Sequence, residues 1–339
     1  MELERYIRQT IFSPLGEEGQ RRLLASSVVI IGCGGLGCNI ASLLTRSGVG
    51  HIRVVDRDYV ELDNLHRQML FDEEDVERGL PKAIAAAEKL RKINSQVEIE
   101  SLVADVHHRN IEEIIVDRDL VLDGTDNFET RYLINDACVK HDTPWIYGGA
   151  VASYGMTMNI IPHQTACLRC LFMEMPPPGT TATCDTVGIL GSVPAVIASI
   201  EATEAIKLLS GKGSPNPGVI HIDLWENTFE VFQVARQEKT CPTCGQGKFE
   251  FLEAKEGAMV TSLCGRNAVQ ITPMSEASIS LPALAKRLQA VGEVTFNEFM
   301  LRFQVNEFLV TIFPDARAII RGTSDETVAR NLYAKYIGT

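Results

Sequence analysis

Six residues, Gly32-Cys33-Gly34-Gly35-Leu36-Gly37, have the spacing of a loop that can receive phosphate. They follow an apolar β-branched run, Ser27 to Ile31, and precede apolar residues at helical spacing, Leu36 to Ser47. Backbone N–H groups of such a loop face an anion at the positive end of the helix. Asp56 closes the next apolar run, His51 to Val55, where a carboxylate can hold ribose hydroxyls. Strand, loop, helix, strand and acid together point to a bound nucleotide; the glycines alone would fit a turn that only packs a helix on a sheet. Asn64, Arg67 and Lys82 follow. Hydride transfer needs little cationic charge beyond the pyrophosphate. A triphosphate attacked by a carboxylate needs more, because an anion approaches an anion. Arg67 and Lys82 can supply it, unless they are merely the solvated face of a helix. Asp126 follows the apolar strand Leu120 to Leu122, at the edge where open α/β sheets bind ligands. It could instead cap the helix expected from Asn127.

A second constellation is sulfur. Cys167-Leu168-Arg169-Cys170 and Cys241-Pro242-Thr243-Cys244 are two Cys-x-x-Cys knuckles. Four thiolates with no open position suit a structural tetrahedral Zn²⁺. Cys184 stands apart, in the Pro/Gly/Thr-rich segment Met175 to Leu190, expected to be a mobile loop from which a thiol could reach an activated carbonyl. Cys33, Cys38, Cys138 and Cys264 are expected to be idle thiols.

The elements that must position these groups alternate. Helix Pro81 to Asn94, strand Val97 to Val103, strand Leu120 to Leu122, helix Asn127 to His141 and strand Trp145 to Tyr147 continue the pattern, which gives a mostly parallel, doubly wound α/β sheet. Strand Tyr154 to Ile161, helix Val193 to Leu209 and a hairpin of Val219 to Leu224 with Thr228 to Val234 follow. Residues 1–250 are expected to form the nucleotide-binding domain and 251–263 a linker. Residues 264–339 then form a small α+β domain. It has strands near Val269 to Ile271, Glu298 to Gln304, Phe308 to Phe313 and Ala318 to Arg321, and helices Leu281 to Ala290 and Asp325 to Tyr336.

The composition narrows the partners. Forty-four acidic and 32 basic side chains leave a net charge of −12 over 339 residues, which disfavours nucleic acid or an anionic membrane as partner. The first eight residues, Met1 to Arg8, lack the apolar core of a secretory signal, and no uninterrupted apolar stretch is long enough for a membrane span. Cysteine pairs in such a chain read as metal ligands, and the expected compartment is the cytoplasm.

Arg5-Tyr6-Ile7-Arg8-Gln9, Gly32 to Gly37, Asp63-Asn64-Leu65-His66-Arg67-Gln68, Pro81-Lys82 and Thr125-Asp126-Asn127 resemble, in order, the motifs of the ThiF/MoeB/HesA family, bacterial relatives of ubiquitin-activating enzymes. His66 replaces the usual Gln. The segment from Leu263-Cys264-Gly265-Arg266-Asn267 to Gly338 looks like the extension of longer ThiF-type proteins. The resemblance implies an ATP-dependent adenylyltransferase acting on a ubiquitin-like sulfur-carrier protein that ends in Gly-Gly. A ThiS-like carrier of thiamin synthesis is preferred to a MoaD-like carrier of molybdopterin synthesis. It implies that Gly32, Gly34, Gly35, Gly37, Asp56 and Asp58 bind the nucleotide, with Asp56 on its ribose, and that Asn64, Arg67 and Lys82 hold its phosphates. Asp126 would bind Mg²⁺, Arg8 would complete the site of a homodimer partner, and Cys184 would form a covalent link to the carrier. A cysteine desulfurase is the implied kind of sulfur donor. The alternatives are a superfamily enzyme acting on a small molecule, peptide or tRNA, an NAD(P)- or FAD-dependent oxidoreductase, and a non-catalytic zinc scaffold.

Overall fold

The computed structural model describes residues 3–176, 182–253, 260–263, 267–272 and 278–337. The chain divides into two compact units. One combines Met1–Thr181 with Gly188–Ala254, the other Ala182–Val187 with Lys255–Thr339. Among the described residues no helix is long and apolar enough to cross a membrane.

The first unit is built on an eight-stranded sheet: β1 (Ser27–Ile31), β2 (His51–Asp56), β3 (Glu98–Val103), β4 (Leu120–Asp123), β5 (Trp145–Val151), β6 (Tyr154–Ile160), β7 (Val219–Asp223) and β8 (Thr228–Phe232). Their spatial order is β3-β2-β1-β4-β5-β6-β7-β8. The five strands from β3 to β5 run parallel, and β6, β7 and β8 add antiparallel. β1 and β4 read as unbroken apolar runs because they lie in the middle of the sheet and are buried on both faces. β5 runs past the expected Tyr147 to Val151, because pairing with β6 continues through Gly148 and Gly149. The order reverses between β1 and β4, so a crevice opens at their carboxyl ends, the place where open α/β sheets take ligands.

Helix Gly35–Ser47 starts in the glycine loop and stops at Gly48, whose φ of +80° is a left-handed cap. It lies beside helix Ser192–Ser210. Helices Gly16–Ala25, Glu73–Arg78 and Ile111–Ile115 are additions that the apolar pattern did not suggest.

The second unit is an antiparallel sheet of β9 (Val260–Leu263), β10 (Ala268–Ile271), β11 (Glu293–Phe296), β12 (Leu301–Val305), β13 (Phe308–Ile312) and β14 (Ala318–Arg321), in the order β11-β12-β13-β14-β10-β9. Val269, Phe303, Val310 and Ile320 of one face form a core with Leu284 and Ala329 of the two helices Leu281–Leu288 and Glu326–Tyr336. The stretch read as a linker carries β9: Val260 and Thr261 are β-branched and find a partner strand in β10. Residues 254–259 of that stretch, and Cys264, Gly265, Arg266 and Gly338 of the extension motif, lie outside the described residues. β12 starts three residues later than expected. The Asn297 carboxamide oxygen accepts from the Phe299 and Met300 N–H groups, both at 2.9 Å, and holds a turn there.

Candidate functional site

The site grows from three glycines. Gly32 ends β1 with φ +88° and donates its N–H to the Val55 carbonyl at 2.8 Å. A Cβ on Gly32 would strike the Gly124 carbonyl, one on Gly37 the Gly32 carbonyl, and one on Gly124 both Gly32 and Gly37. The loops after β1 and β4 therefore touch backbone to backbone, beside the first turn of helix Gly35–Ser47. Gly34 is different: a Cβ there would meet no atom closer than 3.9 Å. No described neighbour crowds that position, and its open face is the side from which a phosphate can approach.

Asp56 ties this loop to the next. Its two carboxylate oxygens accept from the Cys33 N–H at 2.6 Å and the Asp58 N–H at 2.7 Å. Burial pushes the Asp56 carboxyl above its usual range, against the pull of Lys82 and of those two N–H groups. Lys82 is 4% exposed, so it is no solvated helix face; its ammonium lies 3.3 Å from the Asp58 carboxylate. Arg57, which the motifs did not single out, links the loops after β2 and β3 by donating to Asp105 at 2.9 Å. Burial works against its charge, and Asp105, Asp58 and Asp126 together overcome that, raising the guanidinium above its ordinary range. The available signal was an arginine set between two acids.

Asn64 ends the short 3-10 turn Leu62–Asn64, and Arg67 lies three residues beyond it. The Asn64 side chain is buried and locally engaged, accepting from the Glu61 N–H at 3.3 Å and donating to Asp63 Oδ1 at 2.8 Å. The Arg67 stem passes Gly35, its Cγ 3.7 Å from where a Cβ would stand, and its guanidinium donates to the Asp63 carbonyl at 2.8 Å. Arg67 thus stands beside the glycine loop, held by a neutral oxygen.

Across the crevice, Asp126 is exposed at the end of β4. It does not cap the following helix. Asn127 does, its carboxamide oxygen accepting from the Thr130 N–H at 2.9 Å. The loop bearing Asp126 is set by Asp123, which accepts from Thr125 N–H (2.8 Å), Thr125 hydroxyl (2.6 Å) and Arg131 Nε (3.0 Å). Arg131 Nη2 donates in turn to the Thr125 and Gly148 carbonyls, at 2.7 and 2.9 Å. Burial raises the Asp123 carboxyl, and Arg131 pulls it back. Glu201, also unanticipated, is wholly buried against Gly148 with neither carboxyl oxygen bonded among the described residues, and burial pushes it well above the carboxylate range.

The N-terminal arm is latched by two residues of its motif. The Tyr6 ring lies on Gly48 and its hydroxyl accepts from Asn94 at 2.8 Å; Gln9 donates to the Ser47 carbonyl at 3.0 Å. These anchors leave Arg8 exposed, flanked by exposed Ile7, Ile11 and Phe12.

The four knuckle cysteines converge. Cys167–Cys170, Cys167–Cys241 and Cys170–Cys244 sulfurs lie 3.9, 3.5 and 3.4 Å apart, and the four Sγ atoms all fall within 4.8 Å of one another. Zn–S bonds of about 2.3 Å in a tetrahedron place sulfurs about 3.8 Å apart, so the cage has the right size. Both knuckles hang from one helix, Phe128–Lys140. Its Asn135 accepts from the Leu168 N–H at 2.9 Å, and its Asp136 accepts from the Thr243 hydroxyl at 2.8 Å. Cys33, Cys38 and Cys138 are wholly buried, as expected of idle thiols; Cys264 lies outside the described residues. Cys184 is half-buried and begins a short helix, Cys184–Val187, where a mobile loop was expected. The Thr183 and Thr186 hydroxyls, 3.1 Å apart, close that turn. Cys184 belongs to the second unit, and residues 177–181 of its segment lie outside the described residues.

A profile described as the ThiF family matches residues 6–243. The chain is 43% identical, over 98% of its length and 99% of the relative's, to the sulfur carrier protein ThiS adenylyltransferase of Bacillus subtilis. It is 42% identical, over 72% of its length and 91% of the relative's, to the sulfur carrier protein adenylyltransferase of Thermus thermophilus. Among solved structures, E. coli MccB crystallised with MccA-N7isoASN is similar with a TM-score of 0.65 at 25% identity, over 71% of this chain and 75% of that one.

The clamp beneath Asp126 is testable. Arg131→Met strands the buried Asp123 carboxylate and lowers unfolding stability by about 3–5 kcal/mol, read by urea denaturation. Pairing it with Asp123→Asn recovers part of the loss. A stability change below about 1 kcal/mol in Arg131→Met would show that the pair does not hold this loop.

Proposed function

Because the chain belongs to the ThiF family, we propose that its geometry serves one reaction, the ATP-dependent adenylation of the C-terminal glycine carboxylate of a ubiquitin-like sulfur-carrier protein. The observation that carries this reading is the 43% identity to a ThiS adenylyltransferase along nearly the whole chain. That match includes the C-terminal unit, which favours a ThiS-like carrier over a MoaD-like one. The first unit performs the adenylation and the second is an accessory domain. An ATP-consuming enzyme with free thiols fits the cytoplasm.

No protein nucleophile is needed. The carrier carboxylate attacks the α-phosphorus, a carboxyl–phosphate bond forms, and the bond to the leaving pyrophosphate breaks. The enzyme contributes alignment and charge neutralisation. The glycine loop offers backbone N–H groups to the phosphates, and Asp56 with Asp58 faces the ribose. Arg67 and Lys82, beside and below the loop, oppose the charge that builds on the pyrophosphate. Asn64 fixes the turn that aims Arg67. The exposed Asp126 carboxylate suits Mg²⁺, which when bound lowers the repulsion between the two anions. Arg8 sits on an exposed apolar arm, so we assign it to the neighbouring site of a homodimer. The cage of Cys167, Cys170, Cys241 and Cys244 fits Zn²⁺ in a structural role, with no vacant position for chemistry. Cys184 is the candidate for a covalent link to the activated carrier, with sulfur coming from a donor such as a cysteine desulfurase.

Asp126→Ala and Arg67→Ala each lose most carrier-dependent ATP–pyrophosphate exchange, by about 10²–10³-fold, and stay folded. Cys184→Ser keeps that exchange, because a thiol adds nothing to attack by a carboxylate on phosphorus, yet loses the thiol-sensitive adduct with the carrier seen by mass spectrometry. Wild-type exchange in the first two variants removes this active site; an unchanged adduct in the third moves the thiol chemistry elsewhere.

Mixing Arg8→Ala with Asp126→Ala restores part of the exchange activity, since hybrid dimers hold one intact site. No recovery after confirmed subunit exchange means that Arg8 does not act across an interface.

Elemental analysis of the purified protein finds about one zinc per chain, and Cys241→Ser lowers both the metal content and the melting temperature. Full stability in a metal-free preparation excludes a structural zinc.

A further inference from the structure

Gly148, in the middle of β5, is gripped by three ionisable side chains. Its N–H faces Asp123 Oδ2 at 3.4 Å, and its carbonyl accepts from Arg131 Nη2 at 2.9 Å. A Cβ built on its α-carbon would fall on the carboxyl group of Glu201. Asp123 and Arg131 bond to one another at 3.0 Å, and Arg131 also holds the Thr125 carbonyl at 2.7 Å. Glu201 stays outside that bonding. It is wholly buried, and neither of its oxygens meets a donor among the described residues. Glu204, the acid one turn further along the same helix, is buried too but accepts from Asn159 at 2.7 Å. A buried acid without a partner is costly in its charged form. Asp123 repels a charge at Glu201, and Arg131, which attracts one, is already engaged by Asp123. Two buried acids thus face one guanidinium, and Glu201 is the one left neutral. Tyr147 of β5 faces the same cluster. Helices Gly16–Ala25 and Gly35–Ser47 and strand β6 also pack against the helix of Glu201, and none of them brings a group that acts on its charge.

We propose that Glu201 is a positioning residue of the site: neutral, it leaves Arg131 to Asp123 and Thr125, and ionised, it draws the guanidinium across Gly148 and slackens the loop that carries Asp126. The effect on turnover rests on the adenylation reading; the buried proton does not. In the unfolded chain the Glu201 carboxyl ionises in the ordinary glutamate range, and in the folded chain burial holds it neutral well above that range. Its contribution to stability is therefore whole below the ordinary range and is lost as pH rises through the raised one.

The test is the variant Glu201→Gln, which keeps the shape and cannot carry the charge. Urea unfolding of wild type and variant is compared from about pH 5 to about pH 9. Across that range the wild type loses ground: its unfolding constant rises, relative to that of the variant, by up to about tenfold per pH unit until the native carboxyl itself ionises. Carrier-dependent pyrophosphate exchange reads the same proton. The wild-type rate declines on the alkaline side, and in the variant that decline is absent or moved upward by about one pH unit or more. A stability difference that does not change with pH overturns the neutral acid. Exchange profiles of the same shape in both proteins overturn the effect on the loop. If Glu201→Gln does not fold, Glu201→Met, neutral and of similar length, takes its place with the same outcomes. A wild-type protein that supports no exchange at any pH brings down the adenylation reading itself, and the unfolding series still decides the buried proton.

Discussion

Three backbones meet with no room for a side chain between them, and the site follows from that contact. Gly32, Gly37 and Gly124 exclude one another's Cβ atoms. The end of β1, the first turn of the following helix and the end of β4 are therefore pressed together at the point where strand order reverses. That compression sets the helix N-terminus over the crevice and carries Asp126 to its far wall. The hydrogen bonds described above then lock what the glycines bring together. Asp56 stitches the loops after β1 and β2, Arg57 those after β2 and β3, and the Asp123–Arg131 clamp the loop after β4. Four strand ends become one rigid rim.

The rim also shows how a chain with a net charge of −12 keeps cations at its crevice. Its cations are held by acids of the same rim: Lys82 by Asp58, Arg57 by Asp105, Arg131 by Asp123. Such pairing preorganises the charges, so little reorientation is left for the moment of reaction. Arg67 differs, because it rests on a carbonyl and not on a carboxylate. It can therefore turn without abandoning an anion.

Much of this was legible in the residues. The strand–loop–helix unit stood in the glycines and in the apolar runs around them, because β1 and β4 are buried on both faces and leave no alternation to misread. The cysteine knuckles were legible from spacing alone, although nothing local says that Cys167 and Cys241 meet. What stayed hidden was set by contacts between distant segments. Asn127, and not Asp126, caps its helix, while the neighbouring Thr125 is drawn onto Asp123. Arg57 and Glu201 carry no motif; one is defined by an acid in the loop after another strand, the other by the bare backbone of Gly148. β9 was lost in an expected linker because a four-residue edge strand has too few residues for a pattern to show. Its strand character comes from pairing with β10.

The antiparallel end of the large sheet has a different consequence, for how the protein behaves at high concentration. β8 pairs on one side with β7, and every one of its residues is exposed, Phe229, Val231 and Phe232 among them, with Trp225 at the preceding turn. An edge of this kind is a template on which another chain can add a strand. Two features oppose it: Glu230, set among those apolar residues, and the repulsion between molecules of like charge. The second fades as the net charge falls toward zero. Near the isoelectric point of about 5.1 the repulsion between molecules is least, and the strand farthest in the sheet from the reversal of strand order is then least guarded against pairing with another chain.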